Sequence, residues 1–269
     1  MLVSYHVHST WSDGKSSIPE HIRMAGELGL DEIGISDHYV LTPDGSQQYF
    51  GMTLGRLDDY VEDLQMSSGE AADGLVVRLG LEVDYFPETE AAAGDLINSQ
   101  PFDYVIGSIH FVNQFPIDDA VDPWEILSQD ERNDAIRCYW TRLRQMAESG
   151  LFDIAGHLDL PKKFNFFTTE DLSGEIGAAL DAIAAADMTF EVNASGWYKP
   201  CKEQYPRIDI IRECYDRQIP VIVTSDAHIA ENLIRGFEEA YALIKEVGFT
   251  ETALYAGRMR KMQPIDDPG

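Results

Sequence analysis

The chain has 269 residues, and its 47 Asp and Glu against 20 Lys and Arg give a formal net charge of −27. A surface so acidic repels phosphate backbones and anionic headgroups, which excludes a nucleic-acid-coating protein or a basic membrane-surface protein. With 44% hydrophobic and 10% aromatic residues there is material for one sizeable core and too much for intrinsic disorder.

The first apolar run, 2–7 (LVSYHV), predicts a strand and leads into His6 and His8. Pro19 suits a first helical turn, and Ile22, Ala25 and Leu28 before Gly29 predict an amphipathic helix over 19–29. Further strands are predicted at 31–36, 75–83, 103–109, 152–156, 188–193 and 219–225. Each run is nearly continuous rather than alternating, the pattern of parallel strands buried on both faces. Helical spacing returns at Ile136, Tyr139/Trp140, Leu143 and Met146/Ala147, with Tyr139 and Trp140 expected in the core, and again at Ile176, Leu180 and Ile183. Strand alternating with helix about seven times implies a single closed or nearly closed β/α barrel.

No linker, repeat or low-complexity tract divides the sequence, so residues 1–269 are expected to form one domain. Cys138, Cys201 and Cys214 are odd in number and form no CxxC pair, which argues against a disulfide framework and a thiolate zinc site and fits a reducing cytoplasm. The N-terminus MLVSYHVHSTWSDG lacks the pattern of a signal peptide, and runs such as 219–223 are too short to cross a bilayer.

Six of the seven histidines fall at or just after a predicted strand end: His6, His8, His38, His110, His157 and His228. Only His21 falls inside a helix, where it is expected on the surface. The third strand ends in Glu82 and Asp84, and the seventh in Asp226. In a parallel β/α barrel all strand C-termini open on one face, where such folds place their active sites, so these residues should converge. His-x-His in an extended segment points two imidazoles the same way. Imidazole and carboxylate without thiolate suit Zn²⁺, Mn²⁺ or Fe²⁺. Nine candidates, the six strand-end histidines with Asp13, Glu82 and Asp226, exceed what one catalytic ion needs, which implies two or three metals suited to in-line phosphoester hydrolysis.

The segments HVHSTWSDG (6–14), SDH (36–38), GLEVDY (80–85), GSIHF (107–111), GHLDL (156–160) and SDAH (225–228) resemble, in order, the motifs of the polymerase and histidinol phosphatase (PHP) superfamily. Within it, EVNASGWYKPCKEQYP (191–206) is similar to a segment of the histidinol-phosphate phosphatase branch, although Trp197 and Tyr198 fill positions usually filled differently. The resemblance implies an α/β fold, a distorted (β/α)7 TIM-like barrel, with a trinuclear metal site. Carried over residue by residue, His6, His8, Glu82 and Asp226 hold the first ion, Glu82, His110 and His157 the second, and Asp13, His38 and His228 the third. The implied activity is hydrolysis of L-histidinol phosphate in histidine biosynthesis, by an enzyme whose catalytic residues include Asp13, His38, Glu82 and Asp226. Water deprotonated by the ions would attack phosphorus in line with the ester oxygen, with Asp13, His38 or a water near the third ion protonating the leaving alkoxide.

Lys162 and Lys163 after the fifth strand, and Asn193, Ser195 and Lys199 after the sixth, are candidate substrate contacts, with loop charges and turn formation as the alternative for each. Asp37 is expected either to orient metals or waters from behind or to cap the next element. Rival readings are a metal-dependent amidohydrolase, a non-catalytic PHP module of nucleic-acid machinery, and a PHP phosphoesterase acting on nucleotides. Three divalent ions bring +6 against −3 from Asp13, Glu82 and Asp226, so the site can be locally positive inside an acidic protein. The expected partner is a small phosphorylated substrate rather than a nucleic acid or a membrane. The acidic excess, with only seven lysines, also suggests life at high salt.

Overall fold

The computed structural model describes residues 1–265. Seven parallel strands form the barrel: β1 (Val3–Ser4), β2 (Glu32–Ile35), β3 (Val76–Asp84), β4 (Tyr104–Ser108), β5 (Ile154–Ala155), β6 (Thr189–Asn193) and β7 (Val221–Thr224). Each pairs in parallel with the next in chain order, and a short His38–Tyr39 strand adds to β3 opposite Glu82 and Val83. Closure comes from the residues beyond β1 and β7, where His8 N–H donates to Ala227 O at 2.9 Å and Ala227 N–H to His6 O at 3.1 Å. The predicted seven-strand β/α barrel is therefore the observed fold, and the segment carrying His6 and His8 is also its seam.

Seven helices wrap the strands: α1 (Ile18–Glu27), α2 (Leu57–Ser68), α3 (Glu90–Ser99), α4 (Gln129–Glu148), α5 (Ser173–Ala185), α6 (Ile208–Asp216) and α7 (Phe237–Val247). α1 starts where Pro19 predicts, with the Ser17 N–H donating to Glu20. α4 is longer than its apolar stripe suggests because a Ser128–Glu131 capping box opens it about two turns earlier, and Tyr139 and Trp140 are core residues. Among the described residues no helix is long and apolar enough to cross a membrane.

Among the elements with no counterpart in the sequence reading is an antiparallel hairpin of Glu251–Ala256 and Met259–Pro264. Its Ala253, Leu254 and Tyr255 pack with Val3, Tyr5, Tyr104, Ile106, Ile154 and Ile222, closing the strand N-terminal end of the barrel. Tyr104 lies across the barrel interior, stacked on Tyr5 at 4.9 Å between centroids. It fits because Gly34 and Gly80 face it; an added Cβ would stand 2.2 Å and 2.3 Å from its side chain. With one end plugged by aromatic rings, only the other end can hold a site.

Gly80→Ala is expected to cost about 1–3 kcal/mol by overpacking against Tyr104, lowering the thermal midpoint by several degrees. Calorimetry or circular dichroism reads this directly; an unchanged midpoint would show that the ring is not held where the structure puts it.

Candidate metal centre

The nine sequence-predicted residues meet at the open end. Glu82, with its side chain fully buried in β3, is the hub: His6 Nε2 lies 3.1 Å from its Oε2, His38 Nδ1 2.9 Å, and His157 Nε2 3.0 Å from Oε1. His110 Nε2 lies 3.7 Å from Oε1 and 3.2 Å from His157 Nε2. His8 Nε2 is 3.2 Å from Asp226 Oδ1, and His228 Nε2 3.2 Å from Asp13 Oδ2.

Local backbone chemistry sets these positions. Period-two alternation sends Val7 into the core and the flanking His6 and His8 into the ring. Asp37 accepts hydrogen bonds from the N–H and Oγ of both Ser9 and Ser12, fixing the loop that carries Asp13. Asp37 thus acts on the loop before α1, and not as a cap of the element that follows it. Asp226 has a left-handed φ of +50°, and its Oδ2 accepts from Asn193 Nδ2 and Ser195 Oγ, each at 3.3 Å. Such backbone is uncommon outside glycine and clusters at functional sites.

Two carboxylates behind the ring were absent from the predicted set. Glu191 accepts from His6 Nδ1 at 2.8 Å, from the His157 N–H and from Thr224 Oγ1 at 2.9 Å. Asp84 accepts from His110 Nδ1 at 3.0 Å and from its backbone N–H at 3.0 Å. Both fix ring orientation and tautomer, leaving Nε2 of each imidazole facing the centre. A charge in the middle of the buried strand 189–193 was the available signal for Glu191, and spacing of two from Glu82 the signal for Asp84.

The helix-surface expectation for His21 is corrected. The residue is fully buried on α1, its Nε2 3.1 Å from His8 O, because positions 18, 21, 22 and 25 form one inward stripe. Burial pulls its pKa down to about 4. The candidate substrate residues separate. Lys163, Ser195 and Lys199 line a cavity of about 450 Å³ above the ring, joined by Lys15, Tyr49 and Asp118, which sequence reasoning missed. Lys162 is buried away from that cavity, its ammonium held by Asp159, Glu203 and Gln204 O. Asn193 is buried beneath Asp226 and Glu191 rather than in the cavity wall.

Burial would lower the His6 pKa, yet Glu191, Glu82 and Asp226 hold it well above the ordinary value. Burial raises Glu82, but His38 and His6 bring it well below the usual carboxylate range, and His6 and His8 do the same for Asp226. His8, crowded by burial, His38 and His228, falls to about 3. Against burial, Asp84 and Asp118 raise His110 to about 10, and Asp13 and Asp226 raise His228 to about 9.

The residues fit divalent ions. Buried His6 Nε2, both nitrogens of His8, Asp13 Oδ1, His38 Nδ1, Glu82 Oε2 and His157 Nδ1 have no aligned hydrogen-bond partner. Buried polar atoms rarely go unpaired in native proteins, and here most of the orphans belong to one imidazole–carboxylate cluster. Four sets of ligand atoms lie within 4.8 Å of one another: His8/Asp13/His38/His228, His6/Glu82/His157, His6/His8/Asp226 and His38/Asp84/His110. These cut across the expected partition, since Glu82 and His157 group with His6, and His110 with His38 and Asp84.

The PHP domain family model matches residues 4–195. The chain belongs to the PHP domain family. Among full-length relatives, a probable histidinol-phosphatase of Deinococcus radiodurans is 33% identical over 98% of this chain and 99% of its own. The histidinol-phosphatase of Lactococcus lactis is 25% identical over 95% and 94%. The crystal structure of the Lactococcus lactis histidinol phosphate phosphatase, complexed with zinc, L-histidinol and phosphate, superposes with a TM-score of 0.82, covering 97% of this chain and 98% of that one at 23% identity. The PHP match ends before Asp226 and His228, whereas the two full-length relatives span nearly the whole chain.

Two outcomes are expected. Glu191→Gln should weaken zinc affinity about 10- to 100-fold with the barrel intact, as read by competition with a chelating dye; affinity equal to wild type would remove Glu191 from the site. With His110 raised to about 10 and His228 to about 9, both carry a proton near neutral pH in the metal-free protein, and a ligand nitrogen must be neutral. Zinc binding at about pH 7.5 should therefore expel protons, and affinity should climb as pH rises toward those values. Titration in weak buffer with a pH indicator checks the sign.

Proposed function

We infer that this protein is a metal-dependent phosphoric monoester hydrolase that converts L-histidinol phosphate to L-histidinol and inorganic phosphate. The observation that carries the reading is a ring of six histidines and three carboxylates, six of the nine buried and His228, Asp13 and Asp226 half-buried, at the floor of a cavity of small-molecule size. The full-length relationship to histidinol-phosphatases supports the substrate and a place in histidine biosynthesis.

On the family resemblance, and not on the side-chain groupings above, His6, His8, Glu82 and Asp226 are assigned to one ion, Glu82, His110 and His157 to a second, and Asp13, His38 and His228 to a third, with Glu82 shared. Zinc, manganese and iron all suit these donors. When bound, such ions supply Lewis acidity and a nucleophile at neutral pH for in-line phosphoryl displacement. The chain's own contribution is to hold that constellation rigid: Glu191, Asp84 and Asp37 brace it from behind, and Asn193 and Ser195 orient Asp226. Asp13, His38 or a water near the third ion would pass a proton to the leaving alkoxide, a reading supported by Asp13 and His38 lining the cavity.

The cavity wall suits a zwitterion. Lys15 and Lys199 stand on the loops after β1 and β6, while Asp118, Asp119, Tyr49 and Phe50 stand on the loops after β2 and β4. A phosphate end facing the first arc places a cationic imidazole or ammonium end against the second, where carboxylates and aromatic faces both favour it.

Phosphate release from L-histidinol phosphate, nucleoside monophosphates and an aryl phosphate, with metal analysis of the same sample, tests the reading. Histidinol phosphate should be turned over fastest, and Glu82→Ala should abolish activity and remove part of the metal. Equal rates on the aryl ester would defeat the substrate assignment, and an active Glu82→Ala protein would defeat the role of Glu82.

A further inference from the structure

We propose that Arg235, on the loop between β7 and α7, is a specificity-determining residue that grips the phosphoryl oxygens of the substrate. The proposal rests on the phosphomonoesterase reading above and adds to it a residue outside every motif that pointed there.

The loop is built to place this side chain. Leu233 O accepts hydrogen bonds from Ser4 Oγ and Ser225 Oγ, both at 2.8 Å, which ties the loop to the ends of β1 and β7. Arg235 N–H donates to Asn232 O at 3.0 Å. Gly236 follows with φ +80°, and a Cβ there would stand 2.9 Å from the Ala194 Cβ and 3.1 Å from the Trp197 ring. Glycine thus lets the loop lie directly on the 194–198 turn after β6. The result is a guanidinium whose central carbon sits 3.4 Å from the centroid of the Tyr198 ring.

That stacking occupies one face of the guanidinium and leaves its in-plane N–H donors at the edge. Arg235 lines the same cavity as Asp226, His228 and Ser195, and among the described residues it is the one arginine that does so. Lys163, by contrast, is paired with Asp118 at 3.2 Å. Among the described residues no carboxylate pairs with Arg235, although the chain carries 47 acidic residues. An arginine stacked, half-buried and left without an acidic partner beside a ligand ring is arranged for an anion that arrives from outside. Its planar fork matches two oxygens of a phosphomonoester dianion, a geometry a lysine ammonium does not reproduce.

The test uses the zinc-loaded full chain with Arg235→Gln and Arg235→Lys. Arg235→Gln should raise KM for L-histidinol phosphate and weaken binding of inorganic phosphate, measured by calorimetry, each by about tenfold or more. Zinc content and thermal midpoint should match wild type. Arg235→Lys should recover only part of the loss, and Tyr198→Leu should fall between. A glutamine variant whose KM and phosphate affinity stay within about twofold of wild type overturns the proposal. If wild type hydrolyses no phosphomonoester, the functional reading fails on its own, and phosphate binding by the two proteins still decides the role of Arg235.

Discussion

The structure turns on one buried carboxylate. Glu82 has no exposed surface and five imidazoles within 4 Å of its oxygens: His6, His8, His38, His110 and His157. Burying a charged group costs several kcal/mol unless partners surround it, and clustering imidazoles costs more wherever two are protonated. Divalent ions resolve the conflict, because they take neutral nitrogens and ionised oxygens as ligands at once. The barrel supplies the rigidity such a site needs. Its strands deliver ligands at fixed 4.8 Å-scale spacings, the seam of the sheet runs through His6 and His8, and the aromatic plug at the other end leaves a single mouth.

Much of this was legible in the sequence, for identifiable physical reasons. Parallel strands buried on both faces leave continuous apolar runs, so all seven barrel strands could be found. A β/α barrel puts every strand C-terminus on one face, so the position of a histidine relative to its run was enough to bring residues as far apart as 6 and 228 together. What stayed hidden depends on side chains meeting across the fold. Lys162 looks like a cavity cation because it follows a site motif, yet it serves Asp159 and Glu203. His21 is inward because α1 covers the His8 loop, a stripe of 18, 21, 22 and 25 that a polar residue obscures. Glu191 and Asp84 act through other residues and therefore carry no ligand spacing of their own. The C-terminal hairpin over 251–264 has too mixed a pattern to declare itself.

The charge arithmetic also changes. Counting Asp13, Glu82 and Asp226 alone left three ions a local excess of +3, but Glu191 and Asp84 stand directly behind the ligand histidines. With these carboxylates and Asp37 behind the Asp13 loop, the acidic groups would largely balance three divalent ions if three were bound. Under the proposed reading the anion would be held by the ions together with the cations on the loops after β1, β6 and β7, while residues such as Asp58, Asp59 and Glu62 place acidity on the outer face of α2.

The most direct test of this account is a crystal structure of the zinc-loaded protein with anomalous data collected at the zinc edge. The account predicts three peaks within the ring of nine residues, two of them bridged by Glu82. A single peak, or peaks that Glu82 does not touch, would contradict it.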